Sequence, residues 1–258
     1  MKRTLAVSFA LYLAVFLVPL LAGGKLPAPV ETAAETTPSP AAVPFAEKPA
    51  PSSPPVSPSP SPAPPPGYTI TVLVEGTPEE ISLRGFLLGA VAAEMPALYP
   101  EEALKAQTVA IRTFALYAQS RPYHENARLC ADWECCLAFS PLEGREADWG
   151  EQYEEYARKI EAAVDETAGV VILYEGEPIE AVFFAATDGR TRSAAEVWGG
   201  EVPYLQSVGS DFDLEFANGP RGHGVGMSQF GARQLALRGL GYEEILKWYY
   251  TGVEITGA

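Results

Sequence analysis

Residues 83–96 read LRGFLLGAVAAEMP, and residues 100–120 read PEEALKAQTVAIRTFALYAQS. These two stretches decide the fold. The first is a helix over Leu83–Met95, stopped by Pro96, which cannot continue the hydrogen-bond ladder. The second opens at Pro100, because proline suits a helix's first turn. Glu101 and Glu102 follow, where acids complement the positive end of the helix dipole, and the helix runs to about Ser120. Two helices in direct succession already argue against strict βαβ alternation.

Working outward, Tyr68–Val74 is β-branched and alternating, the pattern of a strand. Residues 121–150 have no clear period and hold all three cysteines. Beyond them Tyr153, Tyr156, Ala157, Ile160, Ala163, Val164 and Thr167 share one helical stripe, with Gly169 where a C-terminal cap belongs. Val170–Tyr174 and Ile179–Phe184 form a hairpin around Glu175-Gly176. Ser228 caps a helix to about Leu237, and Tyr242–Tyr249 forms the last one. Helices and strands come in runs, so the class is α+β. Residues 68–258 make a single mixed helix and antiparallel-sheet domain.

The chain has 258 residues, a formal net charge of −15 and a pI near 4.6. Phosphate contacts need clustered cations, so this balance excludes a nucleic-acid binder. Before the domain lie two unlike segments. In residues 1–24, Lys2 and Arg3 precede the apolar run Leu5–Ala22, the form of a signal peptide or a membrane anchor. Either sends the remainder outward, so the expected location is extracytoplasmic, anchored in the cytoplasmic membrane if the segment is retained. Residues 25–67 hold 15 of the chain's 24 prolines. Such a segment buries too little apolar surface to offset its ordering entropy, and reads as an extended, disordered spacer.

Chemistry concentrates at four places. Leu83, Leu87, Ala90, Val91 and Glu94 fall on one helix face, so the Glu94 carboxylate shares an apolar surface. Desolvation raises a carboxyl pKa, and a neutral acid near pH 7 can protonate a glycosidic oxygen. Lys105 and Arg112, seven residues apart on the next helix, also share a face. They suit orientation of Glu94 or an anionic or hydroxylated ligand, or else a solvated surface. His124, Cys130, Cys135 and Cys136 offer four nitrogen and sulfur donors at the spacing of a closed, structural Zn2+ site. A Cys130–Cys136 disulfide with Cys135 free is the alternative in an oxidising compartment. Lastly, residues 221–229, RGHGVGMSQ, form a glycine-dense loop running into a helix N-terminus with unpaired N–H donors. His223, Ser228 and Gln229 are its candidate ligand contacts.

Residues 88–96, LGAVAAEMP, with residues 102–115, EALKAQTVAIRTFA, and residues 222–232, GHGVGMSQFGA, resemble the SpoIID/LytB domain family, as do Tyr249, Tyr250 and Gly252. The resemblance covers nearly all of residues 68–258. It implies a lytic transglycosylase that cuts peptidoglycan glycan strands, preferentially those stripped of stem peptides. Glu94 is then the acid/base, Lys105 and Arg112 serve activity or binding, and His124 with the cysteines holds zinc. The LytB side of the family implies another role, a noncatalytic wall-binding module that enhances a cell-wall amidase. One departure stands out. Ala185 occupies a place where the family usually has serine, and nearby Asp188 is either a second polar contact to sugar or a turn residue.

Overall fold

A computed structural model describes residues 67–216 and 218–256 of the chain. The signal or anchor segment, and the proline-rich spacer up to residue 66, lie outside the described residues. Among those described, no helix is long and apolar enough to cross a membrane.

The domain starts with an antiparallel hairpin, β1 (Thr69–Val74) and β2 (Thr77–Ser82). Its turn is Glu75-Gly76, both with positive φ, the conformation that matches the twist of paired strands. Ser82 then caps α1 (Leu83–Glu94), accepting the Gly85 N–H at 3.1 Å. Pro96 ends that helix, and α2 (Glu101–Ser120) begins after Pro100. Lys159 holds the intervening loop by donating to the carbonyls of Ala97 (2.7 Å) and Tyr99 (2.8 Å).

The core is organised around α2. Ala103, Ala106, Val109, Ala110, Ile111, Ala115 and Ala118 are fully buried on it. Its small alanines let α1, α4 (Tyr153–Glu166), α6 (Gln229–Leu237), α7 (Tyr242–Tyr249) and strand β4 (Val171–Tyr174) approach closely. Thr113 fastens α2 to β4, its Oγ1 accepting the Ile172 N–H at 3.0 Å. Between α2 and α4 the chain forms β3 (Leu129–Cys130) and a short helix, α3 (Glu146–Trp149).

The class is α+β, but the sheets are small and not all antiparallel. β3 adds to β1 in parallel. β4 pairs antiparallel with β5 (Glu177–Pro178) and β8 (Glu254–Thr256). The strand expected over Ile179–Phe184 breaks. The Val182 N–H turns back to the Glu180 carbonyl at 2.9 Å, leaving β6 (Phe183–Phe184) to pair in parallel with β7 (Met227–Ser228). A five-residue helix, α5 (Ala194–Trp198), lies between β6 and β7 in sequence. The β6–β7 pair matters most for function, because it lays the glycine-dense loop beside residues 183–185.

Candidate active site

Glu94 is the last residue of α1, and Pro96 fixes where that helix ends. Its side chain is gripped from two directions. The Ala138 N–H donates to Oε1 at 2.5 Å. Gln229 Nε2 donates to the Glu94 main-chain oxygen at 3.0 Å and stands 3.5 Å from Oε2. Desolvation raises the Glu94 pKa, and these two donors offset part of that rise. The net result is a carboxyl whose neutral form is favoured relative to an exposed glutamate.

Close packing sets both grips. At Gly89 an added Cβ would stand 2.6 Å from the Phe139 ring and 2.8 Å from the Ser140 carbonyl. Only glycine lets the loop carrying Ala138 lie on α1 so near to Glu94. At Gly226, φ is +79° and a Cβ would meet the Val182 carbonyl at 2.1 Å. That approach allows β7 to pair with β6 and aims the start of α6, and so Gln229, at Glu94.

Glu94 and Gln229 open onto a cleft of about 720 Å3. The cysteine loop supplies Trp133, Glu134, Cys135, Cys136 and Leu137 to it; Glu180, Phe183, Phe184, Trp198, Arg221 and His223 come from the later segments. The His223 ring packs 5.3 Å from Trp198 and 5.7 Å from Phe184, centroid to centroid. Its Nδ1 accepts the Val225 N–H at 3.1 Å, so the neutral ring carries its proton on Nε2. Desolvation lowers its pKa, offset in part by a hydrogen bond to the Phe183 main chain. His223 therefore lines the cleft as a neutral ring that also braces its own loop.

The remaining expected contacts fall elsewhere. Ser228 is fully buried and spent on the scaffold. Its Oγ accepts the Gly231 N–H at 3.0 Å as the α6 cap and donates to Asp213 Oδ1 at 2.8 Å. Lys105 and Arg112 do not line the cleft. Lys105 pairs with Glu102 (2.9 Å) and Glu166 (2.8 Å), which hold its pKa up. Arg112 is 3% exposed and donates to the carbonyls of Val164 (3.2 Å) and Val170 (3.1 Å) and to Thr167 Oγ1. It neutralises the negative end of α4, and burial lowers its pKa to about 10, so it stays cationic. Helical spacing correctly put both cations on one face; that face meets α4 rather than a ligand. Asp188 pairs with Arg192 at 2.7 Å and is absent from the cleft lining, whereas Ala185 is part of it.

His124, Cys130, Cys135 and Cys136 converge, with all four donor atoms within 4.8 Å of one another. The three cysteines are free thiols. His124 Nε2 is 3.6 Å from Cys135 Sγ and 3.5 Å from Cys136 Sγ, and the two sulfurs are 3.8 Å apart. Tetrahedral zinc, with bonds of about 2.3 Å to sulfur and about 2.1 Å to nitrogen, spaces its donors roughly 3.6–3.8 Å apart. The donor set thus fits one ion, and adjacent Cys135 and Cys136 both reach it. Ala138 follows Cys136 by two residues, which ties this cluster to Glu94.

The family model described as stage II sporulation protein, SpoIID, matches residues 75–174. Stage II sporulation protein D of Bacillus amyloliquefaciens is 29% identical over 260 residues, covering 70% of this chain and 76% of that protein. Its namesake in Bacillus subtilis is 28% identical with the same coverage. These matches bear out the resemblance to the SpoIID family. An amidase enhancer of Bacillus subtilis is also similar, 33% identical over 119 residues, or 46% of this chain and 14% of that protein. The span matched by the SpoIID model carries Glu94 and the four candidate metal donors. His223 and Gln229 lie beyond it and join Glu94 at the cleft through the fold. Two positioning residues escaped sequence reasoning. Ala138 acts through its main chain, which leaves no side-chain signature, and Asp213 sits in a short acidic turn without a helical or strand period.

Proposed function

We propose that this chain is a peptidoglycan lytic transglycosylase with Glu94 as its acid/base. The observation carrying this reading is a desolvated carboxyl at a helix end, open to a long cleft and oriented by Ala138 and Gln229. The Ala138 N–H occupies Oε1, so the neutral acid bears its proton on Oε2. Glu94 gives that proton to the glycosidic oxygen as the bond to the muramic C1 breaks. The C6 hydroxyl of the same sugar then attacks C1, and the Glu94 carboxylate takes the hydroxyl proton. One strand becomes two, one of them ending in a 1,6-anhydro ring, with no water consumed. A single carboxylate suffices, unlike the pair of an ordinary glycosidase, because the nucleophile is tethered to the substrate.

His124, Cys130, Cys135 and Cys136 would hold a structural zinc ion. With four protein donors no coordination place remains for a reacting water; the ion's contribution is to fix the loop that presents Ala138. The family description and the names of two relatives share sporulation, which supports a role at the wall of a sporulating cell. The outward-directing N-terminal segment supports action outside the cytoplasmic membrane.

Similarity to an amidase enhancer favours one second reading, a wall-binding module that stimulates an amidase. One assay separates the two. The purified protein is incubated with glycan strands lacking stem peptides, beside Glu94→Gln. New anhydro ends from wild type, lowered at least 100-fold in the variant, support the enzyme. No cleavage by either, with amidase stimulation retained by both, supports the enhancer.

A further inference from the structure

Three exposed aromatic side chains occur among the described residues: Tyr123, Trp133 and Trp198. All three line the Glu94 cleft. Trp133 is 73% exposed and Trp198 51%, although each could bury a large apolar face. Exposed aromatic surface gathered at one place marks a binding site. Each indole also belongs to, or packs on, one of the two segments that grip Glu94. Trp133 belongs to the cysteine loop that presents Ala138, and Trp198 packs on His223 of the loop that leads to Gln229.

The cleft's charge restricts the occupant. Glu94, Glu134 and Glu180 face a single cation, Arg221, with His223 neutral. A densely charged polyanion would be repelled, whereas a stripped glycan strand carries only one lactyl carboxylate per disaccharide, which Arg221 can meet. A cationic chain would draw Glu94 toward its carboxylate, against the desolvation that favours its neutral form. A sugar chain suits both features: its axial C–H faces lie flat on indole rings, and its hydroxyls bond to carboxylates and guanidinium. We infer that Trp133 and Trp198 are stacking platforms for N-acetylhexosamine residues on the two arms of a glycan strand that straddles Glu94. This inference rests on the glycan reading of the cleft, but not on cleavage taking place.

Binding is therefore measured without catalysis, in the full chain carrying Glu94→Gln. The probe is an uncharged N-acetylglucosamine hexamer, followed by calorimetry and by intrinsic fluorescence. Of the chain's four tryptophans, Trp149 packs on Tyr153 and Tyr156 and Trp248 donates to the Gly209 carbonyl, so neither lines the cleft. Adding Trp133→Ala or Trp198→Ala is expected to weaken binding roughly tenfold each, and both together about 100-fold. Phenylalanine at either position should restore most of the loss, Trp149→Phe should change nothing, and affinity should not vary with salt. Equal binding by parent and alanine variants, binding only at low salt, or no binding by the parent would overturn the inference. The anhydro-end assay is independent of all three outcomes, so failure of the platforms and failure of the lytic reading are distinguishable.

Discussion

Glu94 shows how one residue is set against its own surroundings. Its pKa is raised, so the folded state holds the proton more tightly than the unfolded chain. The stability this contributes is fully present below the unfolded value, near 4.5, and is lost as pH rises through the raised folded value. Two outcomes follow at neutral pH. Glu94→Gln should leave the melting temperature equal or higher while removing activity, because glutamine needs no proton to stay neutral. Initial rates should fall on the alkaline side as Glu94 ionises, and this limb should lie above the pH expected for an exposed glutamate. Arg112 behaves in the opposite way. Arg112→Met leaves the Val164 and Val170 carbonyls without their donor. A loss of about 2–4 kcal/mol is expected in denaturant unfolding, with little change in the activity of the protein that remains folded. The Glu94 site was legible because an acid on an apolar helical face is anomalous. The role of Arg112 was not, since periodicity tells which side chains share a face but not what packs against it.

At the scale of elements, α1, α2, α4, α6 and α7 follow from caps, prolines and stripes, and their residues fall near the expected limits. The short strands do not. β2 is a polar, largely exposed edge strand containing Pro78, and β3, β5, β6 and β7 have two residues each. Two residues cannot display a period of two, and parallel pairing between β6 and β7 depends on contacts more than forty residues apart. Yet that pair aims Gln229. Gly226→Ala would force a Cβ to within 2.1 Å of the Val182 carbonyl at a positive φ. It is expected to lower the unfolding midpoint by the equivalent of 2 kcal/mol or more and to reduce activity further than stability alone explains. The cysteine loop is the other positioning element. Purified protein should contain one zinc per chain by elemental analysis, and Cys130→Ser should lose most of it. Metal loss should lower the rate through misplacement of the Ala138 N–H, leaving the reaction product unchanged. A stable, active, metal-free wild type would rule out that role.

Across the whole molecule, the cleft joins residues far apart in sequence, Glu94 and Gln229 being 135 positions apart. The helix α2 makes this possible by serving as a common wall for α1 and α6. The acidic balance of the chain, −15 overall, agrees with a cleft that takes a weakly charged polymer rather than a polyanion. The central claim is that glycan strands are cut by Glu94 with an internal hydroxyl in place of water. Its most direct test is cleavage of stem-peptide-free strands in water enriched in oxygen-18, with the new ends weighed by mass spectrometry. The account predicts anhydro ends that carry no label. Reducing ends bearing the heavy oxygen would contradict it, and would make the protein a hydrolase.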